Sequence, residues 1–176
     1  VISLFDHSGI ACQPWARIGY ECYCFDVQHP LAPRCETIGN GRIWYVHANL
    51  NHDAWGWSLV QRIIDLFATG KRFMFAWPPC EDMTVSGNRH KARKRAADPL
   101  FQWKAARRAT RSAALARKNG FAAMVENPIG ALCTLWRKPD VIWHPWHFGG
   151  LLPDDDKHPT WPKYIAPRDA YTKGTG

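Results

Sequence analysis

The chain has no apolar run approaching the ~20 residues that span a bilayer, and no basic head leading into an apolar stretch and a small-residue cleavage site. We therefore expect neither a membrane span nor a secretory leader. It also lacks a repeat period and a low-complexity tail, which sets aside solenoid and fibrous architectures. Acids are scarce: 15 Asp and Glu stand against 23 Lys and Arg, a formal charge of +8. Such a surface attracts polyanions, nucleic acid being the common case and a membrane surface the weaker one. The chain starts at Val1 rather than at a methionine, so a few leading residues are expected to be missing.

Six cysteines are even in number, yet their spacing does not suit a disulfide framework. Cys22 and Cys24 fall on alternate positions of one expected strand, a poor geometry for a mutual bridge, and 176 residues can bury a core without staples. Reduced thiols in a cytoplasmic protein are expected. The length fits one domain, residues 1–176, better than two. Ten tryptophans are many for this length. Trp77, Trp143, Trp146 and Trp161 cluster with His or Pro, and serve equally well as core residues or as the lining of a cleft.

Apolar patterning predicts a short strand over Val1–Phe5, a polar turn Asp6-His7-Ser8-Gly9, a helix closed near Ile18-Gly19, and a strand Glu21–Asp26 ending on an acid. That is the outline of a nucleotide-binding βαβ half, in which a terminal acid accepts hydrogen bonds from a ribose. The turn lacks the G-x-G-x-x-G pattern, and an Asp that merely caps a turn explains Asp26 about as well. Pro30–Gly41 reads as a loop and Ile43–Val46 as a third strand. Trp57, Val60, Ile63, Ile64 and Phe67 recur at helical spacing over 55–68, with Gly70 as the stop.

A buried strand from Phe73 then halts at Pro78-Pro79 and presents Cys80, a candidate nucleophile at the edge where open α/β sheets hold ligands. Between Arg89 and Lys118 lie eleven Lys or Arg and one acid, Asp98. The run is helix-forming from about Asp98 onward. A solvated helix face accounts for most such runs. Because this one follows the Cys80 loop, Arg89, Lys91, Arg93, Lys94 and Arg95 are candidates for contacts to substrate phosphates. Phe121–Val125 is a further strand and delivers Glu126, followed by Asn127-Pro128. Gly130–Trp136 reads as a short helix, with weak strands expected at Val141–Trp143 and Tyr164–Ile165. His144, His147 and His158 with Asp154–Asp156 and Cys133 match no standard zinc spacing, so no metal is expected.

One sheet edge thus gathers Asp26, Cys80 and Glu126. A thiolate can add to an electron-poor ring while an acid holds the ring nitrogen that gains electron density. A purely structural Glu126, accepting backbone hydrogen bonds, is the alternative. With these residues in view the chain resembles the cytosine C5 DNA methyltransferases, in particular the short methylase-like proteins of phages and prophages. Pro78-Pro79-Cys80, with Thr84 and Gly87 behind it, resembles the family's nucleophile motif. Glu126-Asn127-Pro128 is similar to its Glu-Asn-Val motif. Arg137-Lys138-Pro139-Asp140 and His144-Pro145-Trp146-His147-Phe148-Gly149 are similar to stretches in the phage subgroup.

The resemblance covers most of the chain. It implies a Rossmann-like S-adenosylmethionine-dependent methyltransferase fold, a mostly parallel sheet with helices on both faces. It implies S-adenosylmethionine as cofactor, held by Phe5, Asp6, Ser8, Gly9, Asp26, Asn49 and Pro78, and Cys80 and Glu126 as catalytic residues acting on DNA, duplex or single-stranded. No separate target-recognition domain is recognisable. The same chemistry on single strands or free nucleotides, or a non-catalytic nucleic-acid-binding relative, are the competing readings.

Overall fold

Strand Glu21–Asp26 (β2) shows how the sequence builds a sheet with two covered faces. Cys22 and Cys24 enter one core cluster, while Tyr23 and Phe25 enter another. Two-residue periodicity sends successive side chains to opposite faces, so a strand apolar on both must lie between two layers. The computed structural model describes residues 1–51, 54–66, 70–84, 88–158 and 161–168, without the side chains of 88 and 89. In it six strands form one sheet in the order β3-β4-β2-β1-β5-β6. These are β1 (Ile2–Leu4), β2, β3 (Arg34–Ile38), β4 (Gly41–His47), β5 (Phe73–Ala76) and β6 (Ala122–Val125). All neighbouring pairs are parallel except β3 with β4.

Register sorts the residues by face. Ile2 and Leu4 lie opposite Tyr23 and Phe25 on one side and Met74 and Ala76 on the other. Helices α2 (Ala54–Leu66) and α4 (Phe101–Lys118) cover that face through Trp57, Val60, Ile64 and Ala116. Helix α1 (Gln13–Arg17), preceded by a 3-10 turn at Ile10–Cys12, covers the other through Cys12 and Ala16 against Cys22, Cys24, Ile43 and Tyr45. The result is an α/β fold with a mostly parallel sheet flanked by helices, as expected.

Several expectations require correction. Pro30–Gly41 is not wholly loop, since Arg34–Ile38 pairs antiparallel with β4 across the two-residue turn Gly39-Asn40. The strand is solvent-exposed along most of its length, which hid it from a reading based on apolar runs. Val141–Trp143 and Tyr164–Ile165 belong to no strand, and Tyr164 and Ile165 instead donate backbone bonds to Trp161 O in a turn. The basic run holds two helices, α3 (Asn88–Ala97) and α4, broken at Asp98-Pro99 because a proline cannot continue the first. The expected last turn of α2, with Phe67 and Ala68, lies outside the described residues, as does Gly87. The short helix at Gly130–Trp136 is α5, Leu132–Leu135.

The chain moves outward from β1 to β2 and β4, returns through α2, and places β5 on the other flank of β1. Strand order therefore reverses between β1 and β5. At such a reversal the two following connections leave in opposite directions, which is where open α/β sheets place their ligand crevice.

Leu4 is fully buried at the centre of this sheet. Leu4→Ala is expected to cost about 2–5 kcal/mol in urea unfolding, whereas Thr37→Ala on exposed β3 is expected to change stability by about 0.5 kcal/mol or less.

Candidate functional site at the carboxyl edge of the sheet

Directly after β1 the backbone is strained. Phe5 adopts φ 58°, a left-handed conformation that a bulky side chain rarely takes and that costs of order 1–3 kcal/mol. The turn it starts is held by Asp6, a carboxylate 5% exposed. Oδ2 of Asp6 accepts from Ser3 Oγ at 2.7 Å, and Oδ1 accepts from Gly9 N at 2.7 Å and Ser8 Oγ at 3.1 Å. Gly9 sits at φ 69°, and a Cβ there would lie 2.8 Å from the Tyr45 ring, so this position requires glycine. Ser3 Oγ also accepts from Trp77 Nε1 at 3.2 Å, which joins the ends of β1 and β5. Asp6 therefore lies beneath the loop as its internal anchor, with Ser8 and Gly9 arranged around it.

Asp26 ends β2 as expected and is nearly buried. Its Oδ1 accepts from Gln28 N at 2.8 Å, a turn-capping bond, so one oxygen is committed to local structure. Asn49 follows β4, and its Oδ1 accepts from Asn51 N at 3.1 Å. Between these lies His29, which the sequence did not single out. Its Nε2–H donates to Asp6 O at 3.0 Å, and its ring stacks on His7 and meets Tyr45 edge-on. Burial lowers its pKa from the ordinary histidine value, opposed by the bond to the Asp6 carbonyl.

The loops that follow β5 and β6 are fastened together. Glu126 N donates to Ala76 O at 2.9 Å, and buried Asn127 Nδ2 donates to Pro78 O at 3.2 Å. Further out, Thr84 and Gly130 form an antiparallel bridge and Ala131 N donates to Met83 O. A Cβ on Gly130 would lie 2.1 Å from Met83 O, so only glycine permits this approach. Cys80 is half-buried, and its carbonyl accepts from Met83 N and Thr84 N, closing a tight turn. Cys80 and Glu126 thus stand on adjacent strand ends bound by shared backbone contacts. The Oδ1 of Asn127 is buried without a hydrogen-bond partner among the described residues.

The basic residues divide. Lys94 pairs with Asp82 of the Cys80 turn at 2.5 Å, and Arg95 reaches Gln102 at 3.5 Å. Arg93 is exposed, Lys91 is half-buried, and the side chain of Arg89 lies outside the described residues. A cavity of about 610 Å³ opens beside β6 and is lined by Glu126, Asn127, Trp136 and Trp143 among others, but not by Cys80. The geometry around the two loops bears on the chemistry more directly, because the cavity reaches only one of the two candidate catalytic groups.

None of the six cysteines forms a disulfide. Asp6, Cys12 and Cys24 place ligand-type atoms within 4.8 Å of one another, a grouping the spacing did not suggest. Here Cys24 donates to Asp6 Oδ2 at 3.8 Å and to Cys12 Sγ at 3.5 Å, so all three serve the core beneath the Asp6 loop. No helix among the described residues is long and apolar enough to cross a membrane. No model of a known protein family matches the chain, and no curated protein or solved structure does so either.

Gly130→Ala is expected to destabilise the chain by about 1–3 kcal/mol in thermal or urea unfolding, since the clash is with backbone that cannot step aside cheaply. His29 is neutral in the fold at a pH where the unfolded chain already binds its proton. Stability conferred at neutral pH is therefore expected to fall as the pH drops below about 6.5 toward the lowered folded value. The decline in Tm between pH 7 and 5.5 should be shallower in His29→Gln.

Proposed function

We propose that this chain methylates C5 of cytosine in DNA through a covalent adduct on Cys80. The observation that carries the reading is the fastening of the Cys80 and Glu126 loops on adjacent strand ends, next to the reversal of strand order. The motif resemblance adds the reaction class. In this reading the sheet is that of an S-adenosylmethionine-dependent methyltransferase.

The residues around that reversal suit such a donor in kind. A strained Phe5 and a glycine at positive φ open the turn after β1, a carboxylate ends β2, and a carboxamide follows β4. Phe5, Ser8, Gly9, Asp26, Asn49 and Pro78 would hold it, with Asp6 shaping the loop from below. S-adenosylmethionine supplies an electrophilic methyl group when bound.

The remaining work falls to the protein. The Cys80 thiolate forms a bond to C6 of the ring, and the displaced electron pair makes C5 nucleophilic. The Glu126 carboxyl shares a proton with N3, where negative charge would otherwise accumulate. After C5 is methylated, solvent takes its proton, the C5–H electron pair restores the C5–C6 double bond, and the C6–S bond breaks with its pair leaving on the Cys80 thiolate. A buried Asn127 acceptor beside Glu126 suits a ring that brings N–H groups. Basic residues of α3 would meet the phosphates, and a base in a duplex must first leave the stack at a cost of about a few kcal/mol.

Incubated with S-adenosylmethionine and DNA containing 5-fluorocytosine, the wild-type chain is expected to form a denaturation-resistant adduct that Cys80→Ala abolishes. Glu126→Gln should lower methylation by about 10²-fold or more. Absence of both adduct and methyl transfer, with DNA binding intact, would leave a nucleic-acid-binding protein instead.

A further inference from the structure

The outer face of α4 carries a stripe that the proposed chemistry does not use. Its inner face is a column of buried residues, Phe101, Ala105, Ala109, Ser112 and Ala116. Opposite them, at helical spacing, stand Leu100, Trp103, Lys104, Arg107 and Arg111. Trp103 is 54% exposed and Leu100 57% exposed, at the end of α4 nearest the Cys80 turn. That proximity is fixed by bonds. Gln102, beside Trp103, donates from Nε2 to Asp82 O at 3.0 Å, and the same residue's carboxylate pairs with Lys94 of α3.

The charge on this stripe is one-sided. Arg107 and Arg111 are near enough that Arg107 depresses the pKa of Arg111, beyond the lowering caused by burial. Like charges four residues apart weaken a helix, and the one acid of the basic run, Asp98, is paired with Lys104 at 2.6 Å. The Arg111 guanidinium lies over the Trp57 ring at 4.7 Å, at the far end of the stripe, while Arg107 is exposed one turn from Trp103. An exposed indole beside this positive charge offers a polyanion two different contacts: phosphate pairing and a flat face for stacking.

We infer that the outer stripe of α4, led by Trp103, is a binding surface for single-stranded DNA that continues the path from Cys80. The inference rests on the proposed action on DNA and narrows its substrate. Phosphate pairing alone would serve a duplex equally well, but an exposed indole gains nothing from bases already stacked on each other. An unstacked strand presents base faces to it. The same strand delivers its cytosine to Cys80 without the cost of unstacking. From Trp103 to Arg111 the helix advances about 12 Å at 1.5 Å per residue, room for roughly two or three nucleotides.

The test uses fluorescence anisotropy of a labelled 12-nucleotide strand and of the duplex of the same sequence, with the full chain and no methyl donor, at several salt concentrations. Single-strand binding is expected to be tenfold tighter or more than duplex binding. Trp103→Ala should weaken single-strand binding by about 5- to 100-fold, while Trp103→Phe retains most of it. Arg107→Gln should lower the salt slope by about 0.7. Equal or tighter binding of duplex, or a Trp103→Ala change within twofold, would overturn the inference. Binding is read in Cys80→Ala as well, so loss of the catalytic reading leaves this result standing. Conversely, efficient methylation of duplex with no preference for the single strand would sink this inference and spare the other.

Discussion

A single buried carboxylate holds the carboxyl edge of the sheet in order. Asp6 accepts from Ser3 within β1, from Ser8 and Gly9 in the turn, and from Cys24 on β2, while its own backbone carbonyl receives His29. A charge removed from water is tolerable only when its lone pairs are satisfied, and here the donors come from three separate segments. Each of those segments is therefore bound to the others through the needs of one side chain. Ser3 passes the connection on to Trp77, so the turn after β1 and the Pro-Pro-Cys turn after β5 share a common support.

The same economy governs the second pair of loops. The proposed chemistry needs a constant separation between Cys80 and Glu126, and rigid elements give better precision than free loops. The Pro78 carbonyl bound by Asn127 and the close pass of Gly130 under Met83 supply that constancy. Prolines at 78, 79 and 128 reduce the conformations each loop must give up on folding.

Much of this edge was legible from residue order. Strand β2 and the acid that ends it, the apolar run before Cys80, and the run before Glu126 all carry their periodicity in the sequence, because their side chains are buried and burial leaves a pattern. What escaped notice was exposed or long-range. Strand β3 is exposed along most of its length, and its Gly39-Asn40 turn was the available signal. Helix α3 has almost no amphipathic pattern to detect. His29 and Ser3 act through partners that only the folded chain brings near, and the clustering of Cys12 with Cys24 depends on the packing of α1. The stripe on α4 lay inside a charge run, where composition masked the position of Trp103.

The two ends of the sheet are chemically unlike. At one, β3 turns antiparallel and displays Arg34 and Glu36, charged side chains that discourage another strand from joining. At the other, β6 is parallel and uncharged, with Ala122 and Ala123 exposed and Met124 and Val125 half-buried. The two edges thus face different surroundings: β3 presents its own charges to solvent, whereas β6 borders a cavity whose far side carries Trp136, Arg137 and Asp140. Because Glu126 follows β6 directly and lines that cavity, whatever fills the space beside β6 also meets Glu126.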